Sequence, residues 1–226
     1  MARPRAPDHD AQRQRILSAA VQAFSQSGYA NASMSRLAAA CETSKATLYH
    51  YFPNKEALLF EALDRYTRKL LEIAERTLAA EPRGEPALRA LVRALMLEYR
   101  HSRAVHVSLL QDVKYLGHAQ AGQIREQERR IVDRFAEALD AVAPGAMAGP
   151  RRKPLVMAML GSLNFTFAWL RPDGAMGPLE YADMVVDLWL DGLRREARAE
   201  PAETRPGWTE ADGREYPWGQ TKTRRG

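Results

Sequence analysis

The chain is poor in residues and segments on which several classes of protein depend. Cys41 is the only cysteine among 226 residues, so no internal disulfide can form, which fits a reducing cytoplasm. The N-terminal stretch MARPRAPDHDAQ has no apolar core and is not a signal peptide. The most apolar segment, Leu155–Leu170, is shorter than the roughly 20 residues of a comfortable membrane span. We therefore expect a globular cytoplasmic protein with no membrane partner.

Motifs of the common enzyme classes are also missing. The sequence contains no G-x-S-x-G, no glycine-rich phosphate loop and no C-x-x-C. His101, His106 and His118 have spacings of five and twelve residues, which do not place them on one helix face. Asp112 and Lys114 are interpreted as surface groups or a local pair. We predict no catalytic residue, no metal ligand and no cofactor.

Helical periodicity runs along most of the chain, and no segment shows a convincing two-residue alternation. The prediction is an all-α protein. After a first helix over Asp10–Ser27 and two short helices between Ser33 and Tyr51, the predicted longer helices are Lys55–Leu78, Pro86–Arg100, His101–Tyr115, Ala119–Val142, Arg151–Leu170 and Pro178–Arg198. The predicted domains are an arm over residues 1–9, a helix-turn-helix domain over 10–55, a ligand-binding and dimerisation domain over 56–198, and a disordered tail over 199–226.

The segment SMSRLAAACETSKATLYHYFPNK, Ser33–Lys55, combines two short helix patterns with a tight turn. Ser33 and Ser44 are good N-caps, because a serine hydroxyl can accept a hydrogen bond from a free backbone N–H at a helix start. Pro53 prevents the second helix from continuing. Only Leu48 and Phe52 look like core residues there, which leaves polar side chains exposed. This is the construction of a helix-turn-helix, in which one helix braces and the next enters the major groove of DNA.

The charge distribution supports that interpretation. Residues 1–55 contain seven arginines and lysines and three acidic residues, so they hold +4 of the formal net charge of +5. A domain that binds phosphates requires such an excess. Arg3 and Arg5 lie in the predicted arm, which could enter the minor groove or remain a solvated tail.

The segment also resembles the DNA-binding domain of the TetR family of bacterial repressors, most specifically in TLYHYFPNKEALL, Thr47–Leu59. The resemblance covers about Gln14–Leu63. It implies contacts with bases and phosphates from the second short helix, contacts with phosphates from the start of the first, and a phosphate-binding lysine at the start of the fourth helix of the domain. The residues at those positions are Ser33, Ser35, Lys45, Ala46, Thr47, Tyr49, His50 and Lys55. Tyr51 lies at a position that makes contacts in some members of the family, and Arg36, next to the two serines, is expected to assist them. Glu42 departs from the family, which usually has glycine at this turn position, where φ is expected to be positive.

In the second half, the last two predicted helices are candidates for a dimer interface. The segment Leu155–Leu170 is apolar on nearly all sides, and such a helix must be covered on every face. The last helix offers an apolar stripe of its own. Resemblance to the TetR family implies that these two helices pair with their copies in a homodimer, which would present two recognition helices to a palindromic operator.

A small-molecule pocket is a further expectation for the second half. An apolar cavity with a few polar groups is the usual form of such a site. The candidate lining residues are Tyr99, His106, Leu109, Leu110, Val113, Asn164, Phe165, Phe167, Ala168 and Trp169. The pieces SLLQDVKYL and GSLNFTFAWLRPDG are similar to TetR-type regulators that respond to acyl-CoA thioesters, including those controlling phenylacetate breakdown. This implies an acyl-CoA effector, whose phosphates would meet Arg151, Arg152, Lys153 and Arg171; the alternative is that these are solvated charges.

The sequence thus predicts a DNA-binding transcriptional regulator, foremost a homodimeric repressor that a small hydrophobic ligand releases from its operator. An activator and a regulator without a natural ligand remain open alternatives. The rival class is an enzyme or small-molecule carrier with an N-terminal helical hairpin, for which DNA binding would be absent or independent of salt.

Overall fold

The computed structural model describes residues 7–145, 147, 149–171 and 173–198, and no strand occurs among them. The predicted tail and residues 1–6 of the predicted arm lie outside these residues. The α-helices are α1 (Pro7–Ser27), α2 (Met34–Ala40), α3 (Lys45–Tyr51), α4 (Lys55–Ala80), α5 (Glu85–His101), α6 (Arg103–Asp112), α7 (His118–Val142), α8 (Arg152–Asn164) and α9 (Pro178–Arg198). The predicted all-α class is confirmed.

Two of the predicted helices were too long. The segment predicted as one helix over His101–Tyr115 begins with the last residue of α5, and a 3-10 turn, Val113–Tyr115, follows α6. The helix predicted to run to Leu170 ends at Asn164 and continues as a 3-10 turn, Phe165–Ala168. There the hydroxyl of Thr166 donates to the carbonyl oxygen of Leu163 at 2.7 Å. A side chain that bonds a carbonyl three residues back competes with regular helix geometry.

The first three helices enclose a small core beside the start of α4. Ile16, Leu17 and Phe24 of α1 are buried against Leu37 of α2 and Leu48 of α3. Burying one such side chain stabilises the fold by roughly 1.5–3 kcal/mol. The predicted core position of Leu48 is thereby confirmed, and these buried side chains hold α2 and α3 across the turn between them.

Helix α4 belongs to both halves of the molecule. Its N-terminal part contacts α1, and its length carries it onward to pack between α5 and α7. In the second half, α5 packs on α9 and α7 packs on α8. Helix α6 lies against α1 as well as against α4, so it touches the N-terminal helices directly. No helix among the described residues combines the length and apolarity needed to cross a membrane.

Candidate functional site

The caps of α2 and α3 fix the geometry of the turn between them. The Ser33 hydroxyl accepts from the backbone N–H of Arg36 at 3.3 Å, and the Ser44 hydroxyl accepts from that of Thr47 at 2.9 Å. Glu42 has a φ of 50°, and its N–H donates to the carbonyl oxygen of Ala39 at 3.1 Å. The left-handed conformation expected at this position is therefore present, and a non-glycine residue adopts it.

Helix α3 presents its polar side to solvent. Leu48 is fully buried and Phe52, which caps the helix, is nearly so, which anchors one side of the helix. The opposite side carries three exposed side chains, Lys45, Tyr49 and His50. Ser33, Ser35 and Arg36 are exposed on or beside α2, Ala46 is exposed on α3, and Thr47 and Tyr51 are half-buried.

Lys55 differs from the other predicted DNA contacts. Its ammonium donates to the carbonyl oxygens of Tyr29, Ala30 and Ala32 at 3.1, 3.4 and 3.2 Å. It also lies 4.4 Å from the centre of the Tyr29 ring, where a cation is attracted to the aromatic face. All three N–H bonds of an ammonium can be used in this way, so Lys55 fastens the segment between α1 and α2 to the start of α4.

Sequence reasoning missed Arg13, which positions the end of α3. Its Nε donates to Glu61 Oε1 at 2.7 Å, its Nη1 donates to the carbonyl oxygen of Tyr51 at 3.0 Å, and the guanidinium lies 4.4 Å from the centre of the Phe52 ring. Burial alone would raise the pKa of Glu61, but the hydrogen bonds and positive charges of Arg13 and Arg65 outweigh it and hold that pKa below its usual value. No local pattern reveals this role, because the partners are 38 and 48 residues away in the sequence.

A cavity of about 70 Å³ lies between α5, α6 and the 3-10 turn after α8. Its lining combines Tyr99, His106 and Phe167 with the arginines Arg100, Arg103 and Arg171. These include three of the ten predicted pocket residues. Of the other seven, Leu109 is buried, Val113 and Asn164 are half-buried, and Leu110, Phe165, Ala168 and Trp169 are exposed. Arg100 and Arg103 were not among the predicted pocket residues.

His106 bridges three helices from its place in the wall of that cavity. Its Nε2 lies 3.2 Å from the carbonyl oxygen of Asn164, and its Nδ1 lies 3.2 Å from the Tyr66 hydroxyl. A carbonyl only accepts, so Nε2 carries the proton and Nδ1 accepts from Tyr66. Burial lowers the pKa of His106 to about 4, so the ring is neutral at pH 7. The side-chain oxygen of Asn164 is buried without a partner among the described residues.

Two family models match this chain. The model of bacterial regulatory proteins of the tetR family matches residues 16–62, and the model of the tetracyclin-repressor-like C-terminal domain matches residues 83–193. The chain belongs to the TetR family. As a TetR-family protein it is a DNA-binding transcriptional regulator, and the first matched range, residues 16–62, contains α2 and α3.

Solved structures of TetR-family regulators have the same fold over most of their length. A TetR-family regulator from Bordetella parapertussis is 30% identical, with a TM-score of 0.76 over 81% of this chain and 96% of that one. AibR, in complex with isovaleryl coenzyme A and operator DNA, is 26% identical, with a TM-score of 0.69 over 78% of this chain and 97% of that one. The regulator UidR from Escherichia coli is 49% identical over 47 residues, which are 21% of this chain and 24% of UidR. The chain thus spans about a quarter of the length of the first curated relatives it matches.

This TetR-family chain leaves apolar side chains of α8, α9 and the turn after α8 uncovered. The two most exposed are Phe165 at 62% and Leu188 at 66%, and Met157, Trp169 and Met184 are also exposed. The stripe predicted on α9 is therefore divided: Val185 and Leu193 enter the core, and Met184 and Leu188 face outward.

Among the described residues, no three histidine, cysteine or acidic side chains are placed to hold a metal ion.

Proposed function

We propose that the protein is a homodimeric repressor that a small effector releases from a palindromic operator. The observation that carries the proposal is the exposed side of α3, where Lys45, Tyr49 and His50 are displayed on a helix anchored by buried Leu48. A cation can bind phosphate, and tyrosine and histidine can reach base edges in the major groove. Ser35 and Arg36 extend the same polar surface onto α2.

The direct test is a binding titration on the DNA that flanks the gene, repeated over a range of salt concentrations. Lys45→Ala should weaken binding and lower the salt slope by about one, because one phosphate contact is lost. Arg76→Ala is the matched control, since it removes one positive charge from a strongly exposed site on α4. Tyr49→Ala should weaken binding roughly tenfold if it reads a base. Normal binding by both α3 variants would remove the proposed interface.

The dimer is proposed from the uncovered apolar side chains of α8 and α9. A contiguous apolar patch on a monomer marks an interaction surface, and a two-fold dimer buries the same patch on both copies. Such a dimer would present two copies of α3 to half-sites about 34–36 Å apart.

The effector is proposed to be an anion with a small apolar group, and an acyl-CoA thioester is the leading candidate. The cavity offers aromatic walls in Tyr99 and Phe167, with Arg100, Arg103 and Arg171 in its lining. AibR, whose structure contains isovaleryl coenzyme A, supports this class by similarity. Of the cations proposed from the sequence to meet phosphates, Arg171 lines the cavity, whereas Arg152 is paired with Asp140 at 2.9 Å.

Calorimetry with isovaleryl-CoA and phenylacetyl-CoA tests the ligand class. Binding should weaken at least tenfold in Arg103→Gln, because a charge-assisted contact is lost. Arg76→Gln should bind as the parent does. If neither thioester gives a heat of binding, the acyl-CoA proposal is wrong, whereas the DNA-binding proposal is unaffected.

A further inference from the structure

A second cavity, called here the junction cavity, opens where α1 lies against α6. Its volume is about 320 Å³, and residues of α1, α4, the end of α5 and the start of α6 line it. Three of them, Ser18, Ala62 and Ala104, are small, so the helices that meet here do not fill the space between them. The volume lies within the range of small-molecule pockets, roughly 300–1,000 Å³.

The junction cavity has an apolar floor and a polar rim. Leu17 and Val21 of α1 and Tyr66 of α4 are among the buried side chains of the floor. All of the exposed side chains that line the cavity are polar, and two of them are the cations Arg65 and Lys69. Such a lining fits a ligand that has an apolar body and a polar group at one end.

The charge at the rim is positive, and Arg65 supplies the excess. No acidic residue lines the cavity among the described residues. The Lys69 ammonium lies 2.8 Å from Glu98 Oε2, so its charge is compensated. Arg65 shares the single carboxylate of Glu61 with Arg13, since both guanidiniums donate to Glu61 Oε1 at 2.7 Å. This hydrogen-bonded cluster therefore keeps one positive charge in excess.

The exposure of the two guanidiniums shows where that excess charge is available. The Arg13 side chain is 21% exposed, and one of its nitrogens donates to the carbonyl oxygen of Tyr51. The Arg65 side chain is 48% exposed and lies in the cavity wall, where Nη1 also donates to Gln14 Oε1 at 3.0 Å. An anion at the rim would therefore meet Arg65, while its apolar part rests on the floor.

We propose that the junction cavity binds a monoanionic carboxylic acid with a small apolar body, at a site separate from the cavity that contains His106. The Arg65 guanidinium donates to the carboxylate, and the apolar body covers Leu17 and Val21. A water-sized group needs about 30 Å³, so the space accommodates roughly ten such groups. The proposal goes beyond the proposed function and does not depend on it, because the acid would bind whether or not the protein binds DNA.

Calorimetric titration of the full chain with 3-phenylpropionate tests the site. We expect a Kd below about 1 mM for the parent, and binding at least tenfold weaker in Arg65→Gln, because a charge-assisted hydrogen bond is lost. Arg68→Gln is the matched control: Arg68 is also on α4 and also pairs with an acidic residue four positions earlier, but it does not line the cavity. No binding by the parent, or equal weakening in both variants, overturns the proposal.

The neutral amide of the same acid tests the requirement for an anion. It has nearly the same shape without the charge, so it should bind the parent at least tenfold more weakly than the acid. Equal affinity for acid and amide would overturn the assignment of a carboxylate to Arg65.

Blocking the cavity tests its place in the fold. Ser18 is exposed on α1 and lines the cavity, so Ser18→Trp should fill the space without disturbing the core and should abolish binding. Gln26→Trp is the control, because Gln26 is exposed on α1 and lies outside the lining. Equal Tm values of the two variants without ligand would show that both are folded. Undiminished binding by a folded Ser18→Trp variant would overturn the proposal.

The same titrations distinguish this site from the proposed effector site. Arg103→Gln should leave binding of 3-phenylpropionate unchanged, and Arg65→Gln should leave binding of isovaleryl-CoA unchanged. If Arg103→Gln weakens binding of the acid and Arg65→Gln does not, the acid occupies the other cavity and the proposal is wrong. If the acid binds as expected and no thioester does, the proposed effector is wrong and the junction site is confirmed.

Discussion

The ammonium of Lys55 donates to the carbonyl oxygen of Tyr29 at 3.1 Å while lying 4.4 Å from the centre of the ring of the same residue. This pairing joins the start of α4 to the segment that precedes α2. The lysine expected from family resemblance to bind phosphate is thus engaged within the protein. If Lys55 also contacts a phosphate, its ammonium must either give up some of its hydrogen bonds to the carbonyl oxygens or make the new contact in addition to them.

Replacing Lys55 should reduce stability as well as DNA binding. Lys55→Met removes charge-assisted hydrogen bonds to three carbonyl oxygens, so we expect the free energy of unfolding to fall by about 1–2 kcal/mol. Urea unfolding measures this directly. Lys45→Met is the control, because the exposed Lys45 should affect DNA binding alone. Unchanged stability in Lys55→Met would show that its internal contacts contribute nothing.

Glu42→Gly should stabilise the protein. A φ of 50° is strained for a residue with a Cβ, and glycine relieves about 1 kcal/mol of that strain. We therefore expect a rise of a few degrees in Tm, with α2 and α3 unchanged. Thr43→Gly is the control, because Thr43 is the next residue and does not have a positive φ. It should lower Tm, since glycine there increases the backbone freedom of the unfolded chain without relieving any strain in the folded one. A fall in Tm for Glu42→Gly would contradict the strain argument.

The Arg13–Glu61 pair should make stability depend on pH in the acidic range. The pKa of Glu61 is lower in the folded protein than in the unfolded chain, so its stabilising contribution is present above the unfolded value of about 4.3. That contribution is lost as the pH falls through the lower folded value. Urea unfolding of the parent and Glu61→Gln should differ by about 1 kcal/mol at pH 7 and converge at low pH. If the difference in the free energy of unfolding between the two proteins widened on acidification, folding could not have lowered the pKa of Glu61.

Leu188→Glu should prevent the proposed dimer from forming. Leu188 is 66% exposed on α9, so a charge there costs little in a monomer but would be buried without a partner in the interface. Sedimentation should show a folded monomer that binds the operator much more weakly. Leu97→Glu is the control, since this leucine is also exposed, at 46%, but lies on α5. A dimer that persists in Leu188→Glu would place the interface elsewhere.

Local features of the fold were predictable because their causes are local. Caps at Ser33 and Ser44 depend on a side chain and a backbone N–H three residues apart, and the structure contains both. The burial of Leu48 follows from its place in a short helix with one apolar side. The end of α8 was harder to predict, because an apolar sequence continues through a 3-10 turn without any change in periodicity.

The sequence by itself determined the all-α class, the helix-turn-helix and the polar side of α3, because these follow from periodicity and capping within a few residues. Only the tertiary structure decided that Arg13 positions the end of α3, that Lys55 holds the Tyr29 segment, and that His106 hydrogen-bonds to Tyr66. These contacts join residues 26–40 positions apart, and folding brings them together only after the helices have packed. The division of α9 between core and surface has the same origin, since the packing of α5 and α8 against α9 decides which of its apolar side chains are covered.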